Sequence, residues 1–298
     1  MSHGSFPFTL GAFECLTISD GALNYPLESF FANVPREEIQ AALPQEYLPI
    51  EQITTPYTCL LVKTGQHTVL IDTGAGNIGA QAAKLFPSVN HATTITGMLH
   101  ENMQAAGISP ADVDIVVITH AHPDHISGTL DSSGQLVFPN AQYFIHRDEW
   151  EFWMSEAATA NAPASMVTVA RHNLTPLQQQ LTRIGDGFEI LPGIRVIATP
   201  GHTPGHIALA ITSGDQHLLH ISDVVLSPLH LAHPTWLPVF DMLPEQAAVS
   251  KQTIFDQAAE QHALVFAHHF PPFPNLGYIR KAGEGWYWQP RETNTCEQ

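Results

Sequence analysis

An α/β sandwich is the fold class the sequence predicts: two mixed β-sheets face to face with helices outside, an αββα arrangement. Three observations predict it. Short β-rich runs bounded by Gly, Pro, Asp or Ser alternate with stretches of helical periodicity. Their order, strands then helix, occurs twice, in comparable halves of about 1–185 and 186–298 that meet near 184–187. No Ser/Gly linker separates the halves, so one domain over 1–298 is expected, although this length exceeds the roughly 150 residues of a common domain.

The elements follow in order. Strands are expected over 13–18, 58–63, 67–71, 115–119 and 142–145 in the first half, and over 188–191, 195–199, 207–212, 217–222 and 264–267 in the second. Apolar residues recur at helical spacing over 35–43, 94–106, 147–155, 165–182 and 244–261. Between the last two strands, 223–245 reads as a long irregular connection rich in Pro and aromatics, a kind of loop that tends to carry function in compact domains.

Composition narrows the function classes. Hydrophobic residues make up 44% of the chain, enough for a packed core. Lys and Arg total 11 against 28 Asp and Glu, a formal charge of −17, so a basic footprint for nucleic acid or an anionic membrane is missing and a small-molecule substrate is expected. Eighteen histidines, beside a charged fraction of only 13%, point to metal chemistry or a pH-sensitive site. Cys15, Cys59 and Cys296 are sparse and form no CxxC pair, which fits a reducing cytoplasm. The opening MSHGSFPFTLGAF has no basic segment followed by a long apolar one, so no signal peptide is expected.

Chemistry concentrates where strands end. After the run 115–119 comes THAHPDH (119–125), three imidazoles and a carboxylate in six residues. In extended chain i and i+2 share a face, so His120 and His122 can grip one ion, and a helix opening at Pro123 carries Asp124 and His125 to a neighbouring position. Imidazole suits Zn, Fe, Ni and Cu, and a carboxylate extends the range to Mn. Further ligands are available at three other strand ends. These are GHTPGH (201–206) with His202 and His206, ISD (221–223) with Asp223, and the pair His268-His269.

This set is similar to that of the metallo-β-lactamase superfamily, whose mark is HxHxDH followed by a distant His, Asp and His; LIDTG (70–74) resembles the DTG turn that precedes it. The resemblance spans about 59–277 and implies the metallo-β-lactamase fold with two divalent cations, zinc foremost, with manganese, iron or cobalt also compatible. It places His120, His122 and His202 on the first cation, Asp124, His125 and a terminal histidine on the second, and Asp223 between them. HFPPFPNLG (269–277) resembles the HFPFPGLG stretch of methyl parathion hydrolase and its relatives, which favours His269 over His268. Asp72 and His206 are implied as residues that orient the ligands. The implied chemistry is hydrolysis by a metal-bridging hydroxide with Asp124 and Asp223 as catalytic carboxylates; no GxSxG nucleophile motif occurs.

Departures from the superfamily's branches narrow the substrate. His122 stands where flavodiiron oxidoreductases place Glu, and the tail after 277 is too short for the helical domain of glyoxalase II relatives. Acyl-homoserine lactonases carry Tyr three residues after the bridging Asp; here that residue is Leu226. Trp150, Trp153, Leu226, Trp236, Phe270 and Phe273, with Phe240, are expected to line an apolar cleft. YPLESFF (25–31) is expected to act as a lid or as a homodimer arm. A neutral lactone or ester, with phosphotriesters as side substrates, is the expected substrate class. The alternative is a mononuclear iron dioxygenase of sulfur compounds, or a thioester hydrolase, on the same fold.

Overall fold

The computed structural model describes residues 4–43, 51–76, 95–283 and 285–292. Among them are two mixed sheets, one of eight strands and one of seven. The first runs in the order β1 (Ser5–Leu10), β2 (Phe13–Pro26), β3 (Gln52–Lys63), β4 (Thr68–Ile71), β6 (Ile115–Ile118), β7 (Gln142–His146) and β8 (Leu181–Ile184), with β5 (Ile95–Thr96) paired to β2. The second runs from β9 (Glu189–Leu191) through β10 (Ile194–Ala198), β11 (Ile207–Ser213), β12 (Gln216–His220), β13 (Leu264–Phe266) and β14 (Leu276–Ala282) to β15 (Gly285–Pro290).

Alternation along the central strands explains the sandwich. In β6, Ile115 and Val117 join the apolar cluster shared by both sheets, while Val116 and Ile118 join the cluster beneath the helices Leu99–Ala105, Arg147–Met154 and Ala164–Leu177. In β13, Leu264 and Phe266 face the first sheet, and Val265 packs with Ile254, Phe255 and Ala258 of the helix Pro244–Glu260. Strands buried on both faces read as continuous apolar runs, which is why IVVI shows no polar alternation. Each such side chain contributes roughly 1.5–3 kcal/mol on burial.

The first sheet pairs β4, β6, β7 and β8 in parallel. In the second, β10 and β12 both run antiparallel to β11, and β13 runs parallel to β12. The carboxyl ends of β10, β12 and β13 therefore share one edge, and the carboxyl ends of β4 and β6 likewise lie together. The DTG turn and each ligand-bearing motif singled out in the sequence follow one of these ends.

Several boundaries differ from expectation. The helix expected over 165–182 stops at Leu177, one residue after Pro176, which lacks the N–H to continue it; Leu181 to Ile184 then form β8. The helix expected over 94–106 starts at Leu99, because Gly97 has φ of 81° and the Asp20 carboxylate accepts the Leu99 N–H at 2.8 Å. Thr94, like Cys296, lies outside the described residues. Strand β2 continues to Pro26, so the 25–31 segment is a strand end plus the helical turn Leu27–Phe30. Strands β1, β14 and β15 were not expected. No described helix is long and apolar enough to cross a membrane, and Cys15 and Cys59 are buried free thiols.

Candidate metal centre

The chain leaves β6 at Ile118, and His122 caps the short helix Pro123–Ile126, which has Pro at its first position. That turn places His120 and His122 on one side and Asp124 and His125 on the other. From the second sheet, the 199–206 turn contributes His202, the 3₁₀ turn Ser222–Val224 contributes Asp223, and the residues after β13 contribute His268 and His269. Gly201 and Gly205 permit close approach. A Cβ on Gly201 would lie 2.3 Å from the Ala247 backbone, and one on Gly205 2.0 Å from the Glu149 nitrogen.

Three overlapping groups of ligand atoms result, each within 4.8 Å: His120, His122 and His202; His120, His125 and Asp223; and Asp124, His125, His268 and His269. His122 Nδ1 is 2.9 Å from His202 Nε2. Asp223 stands between the groups. Its Oδ2 lies 3.3 Å from His202 Nε2, 3.2 Å from His269 Nε2 and 3.8 Å from His120 Nε2, and its Oδ1 lies 3.4 Å from His125 Nε2. Asp124 Oδ2 lies 3.4 Å from His269 Nε2 and 3.6 Å from His125 Nε2. His269 faces both carboxylates and the cavity, whereas His268 stacks on the His125 ring at 4.2 Å and does not line the cavity.

The outer nitrogens of these rings are fixed. His125 Nδ1 lies 2.8 Å from Asp72 Oδ2, and Asp72 also accepts from the Thr119 amide and hydroxyl. His202 Nδ1 donates to Asp241 Oδ1, and His269 Nδ1 donates to the Pro56 carbonyl. His206 is not part of the ligand cluster. Its Nε2 accepts the Asp223 amide, so its Nδ1–H points to the Thr199 hydroxyl and the Asp223 backbone is held in place. With Nδ1 committed as a donor, each of His125, His202 and His269 turns its Nε2 inward, toward the carboxylates.

Buried His120 Nε2, His125 Nε2 and Asp223 Oδ1 carry no hydrogen bond. Inward ligand atoms on five histidines and two carboxylates are the donor set that divalent zinc or a similar cation requires, and the residues fit such an ion pair. The field agrees. Burial lowers His120 well below the usual imidazole range and brings His122 down to about 3, helped by neighbouring histidines. Burial acts the same way on His269, yet Asp223 and Asp124 push it up to about 9. Against burial, His125 and His269 hold the Asp124 carboxyl below the usual range.

A cavity opens onto this cluster, with Tyr25, Phe30, Met166, Leu226 and Phe240 as its apolar lining and Thr55 among them. Tyr25, at the wall, hydrogen-bonds through its hydroxyl to that of the buried Tyr57. Of the aromatics expected there, only Phe240 lines it. Trp150 and Trp153, at i and i+3 on the helix Arg147–Met154, turn into the core beneath the first sheet; Trp153 packs behind His122 at 5.9 Å. Trp236 packs on Phe31 and His233 behind the cavity wall, Phe270 sits under Trp288 in the outer core of the second sheet, and Phe273 is half-buried in its turn. Leu226 does line the cavity.

Sequence reasoning missed Thr55, Met166, Glu149, Asp241 and Lys251. Asp241 falls in the 223–245 connection, and its one signal was a carboxylate in a loop otherwise rich in Pro and aromatics.

Comparison with known proteins agrees with this architecture. The metallo-beta-lactamase superfamily matches residues 54–269. An N-acyl homoserine lactonase of Bacillus thuringiensis is 24% identical over 232 residues, covering 74% of this chain and 84% of that one. An N-acyl homoserine lactonase of a Bacillus species is 26% identical over 173 residues, 55% of this chain; the match spans 61% of that relative's length. Among solved structures, AidC, a dizinc quorum-quenching lactonase bound to a product, N-hexanoyl-L-homoserine, superposes with a TM-score of 0.86 at 29% identity, over 97% of this chain and 98% of that one. The hydrolase AbOPH superposes with a TM-score of 0.85 at 26% identity, over 98% and 99%. With the family matched over most of its length and the fold shared throughout, this chain belongs to the metallo-β-lactamase superfamily.

Proposed function

We propose that this enzyme, a metal-dependent hydrolase, opens neutral lactones or cleaves neutral esters that carry an apolar arm. One observation carries the reading. The cavity has Asp124, Asp223, His122, His202 and His269 among its lining residues, and the rest of the described lining is mainly apolar, with no Lys or Arg. The lactonases among the similar proteins support the same substrate class.

His120, His122 and His202 would hold one divalent cation, Asp124, His125 and His269 the other, with Asp223 shared. When bound, the two cations supply Lewis acidity, lowering the pKa of water and polarising the oxygen of a carbonyl or phosphoryl group. The protein does the rest. Tyr25, Phe30, Leu226 and Phe240 bind the apolar arm and keep bulk water from the carboxylates, where each Å² of apolar surface buried contributes about 25 cal/mol. Asp124, held ionised by His125 and His269, takes the proton released in the attack and returns it to the leaving oxygen. Asp72, Asp241 and the Pro56 carbonyl hold the ligand rings in one orientation throughout.

Metal analysis joined to a substrate panel tests this. Two divalent ions per chain, and turnover of neutral lactones and aryl esters with weaker turnover of phosphotriesters, is the expected result. A single iron per chain, or thioesters turned over ahead of every lactone and ester, would overturn it.

A further inference from the structure

Lys251 is 1 % exposed, on the helix Pro244–Glu260. Its Nζ lies 2.8 Å from Asp241 Oδ2, and the other oxygen of that carboxylate, Oδ1, takes the Nδ1–H of His202 at 3.1 Å. Ala247, on the same helix, has Ser250 and Lys251 as its i+3 and i+4 neighbours. Ala247 fits against Gly201, and the Ser250 hydroxyl donates to the Pro200 carbonyl at 2.7 Å. The loop before the helix completes the grip: the Met242 and Leu243 amides donate to the carbonyls of His202 and Gly201 at 3.1 and 2.8 Å. His202 is thus held at its ring and at its backbone by one helix and the loop that leads into it.

Burying a lysine and an aspartate costs several kcal/mol per ion, and well-packed apolar residues often serve stability as well or better. Stability alone is therefore a weak reason for this pair. Its geometry supplies another, because the carboxylate ends on a nitrogen of the cluster. With Nδ1–H given to Asp241, His202 presents its Nε2 lone pair to His122 and Asp223. Among the described residues, Asp241 is the group that fixes that tautomer.

We propose that Lys251 and Asp241 are a positioning unit for the first cation: Lys251 fixes the Asp241 carboxylate, and Asp241 fixes the direction of His202. This rests on the reading of His202 as a ligand. Neither residue lines the cavity, so neither touches substrate.

The test measures zinc affinity by chelator competition, and stability by chemical denaturation, on Lys251→Met, on the double variant D241N/K251M and on His202→Ala. Lys251→Met leaves Asp241 buried without its counter-charge, and it should lose both stability and about 10–100-fold in affinity for one of two zinc ions. The double variant has no unpaired buried charge. It should regain the denaturation midpoint while zinc affinity stays low, because a neutral amide accepts the Nδ1–H more weakly than a carboxylate. Stability and affinity recovering together would make the pair purely structural and overturn the proposal, as would wild-type zinc affinity in Lys251→Met. His202→Ala separates the two levels. If it keeps both zinc ions, the ligand reading fails and the proposal with it; if it loses one while Lys251→Met does not, only the positioning role fails.

Discussion

Single residues decide the centre through what each ring nitrogen faces. The types and spacing were legible: HxHxDH at a strand end announces shared faces, and His202, Asp223 and His269 each stand just past a strand. The orienting partners were less so. Asp72 sits in a recognisable DTG turn, but the Pro56 carbonyl and Asp241 are contacts between distant segments, and a backbone carbonyl leaves no trace in a sequence. The twin histidines show how a single position divides. His269 Nε2 lies within 3.4 Å of both carboxylates, while His268 stacks on His125 with neither nitrogen hydrogen-bonded. His269→Ala should lower zinc stoichiometry from two toward one, and His268→Ala should leave it near two; the reverse pattern, read by elemental analysis, would move the ligand one residue upstream. Protons report on the same residue. In the metal-free protein His269 is raised from the ordinary 6.5 to about 9, so its protonation adds stability that is fully present below about 6.5 and lost as pH rises through 9. Zinc requires the neutral ring and must displace that proton, so apparent zinc affinity should climb with pH across this window and flatten above it. A pH-independent affinity between 7 and 9, in isothermal titration of the stripped protein, would contradict the assignment.

Elements locate the residues, and here Glu149 connects what sequence reasoning kept apart. It is fully buried on the helix Arg147–Met154. Its Oε1 accepts the Ala121 amide at 2.8 Å and the Trp153 indole N–H at 2.6 Å; its Oε2 accepts the Thr203 hydroxyl at 2.6 Å and the Gly205 amide at 3.0 Å. One carboxylate therefore ties the loop of His120 and His122 to the turn of His202. Glu149→Ala would leave four buried donors unsatisfied, at about 1–3 kcal/mol for each that finds no water. We expect a loss of at least about 3 kcal/mol in urea unfolding together with weaker zinc retention, since both loops lose the same anchor. Unchanged stability would show that the loops are held otherwise. The central strands and the five expected helices, two of them with shifted ends, were legible because burial on one or both faces leaves a periodic record. Strand β8 was hidden because helical periodicity runs on past Pro176, and β15 because its half-exposed aromatics carry little alternation. The aromatic cleft was misread for a related reason: i, i+3 spacing places Trp150 and Trp153 on one helix face without saying which way that face points.

At the scale of the whole molecule, charge and cavity act together on substrate choice. The chain carries a formal −17, and among the described residues the cavity lining has no Lys or Arg. Lys251, behind it on the helix Pro244–Glu260, is committed to Asp241. An anionic substrate is repelled on approach by the summed field, and on arrival finds no Arg or Lys to pair with its charge. A neutral lactone or aryl ester meets neither penalty. Screening acts only on the first of these terms, because the Debye length shortens from about 30 Å at 0.01 M salt to about 10 Å at 0.1 M, whereas partner groups inside a cavity are little affected. The two contributions can therefore be separated by salt. For a neutral aryl ester and an anionic aryl phosphodiester sharing one leaving group, we expect kcat/KM to favour the ester by at least about tenfold in zinc-loaded enzyme at neutral pH. Raising salt from 0.01 to 0.1 M should narrow the gap without closing it, the residue being the missing counter-charge in the cavity. A gap that closes completely would assign the preference to the surface field alone. A phosphodiester preferred at either salt concentration would overturn the reading of the cavity as a site for neutral substrates.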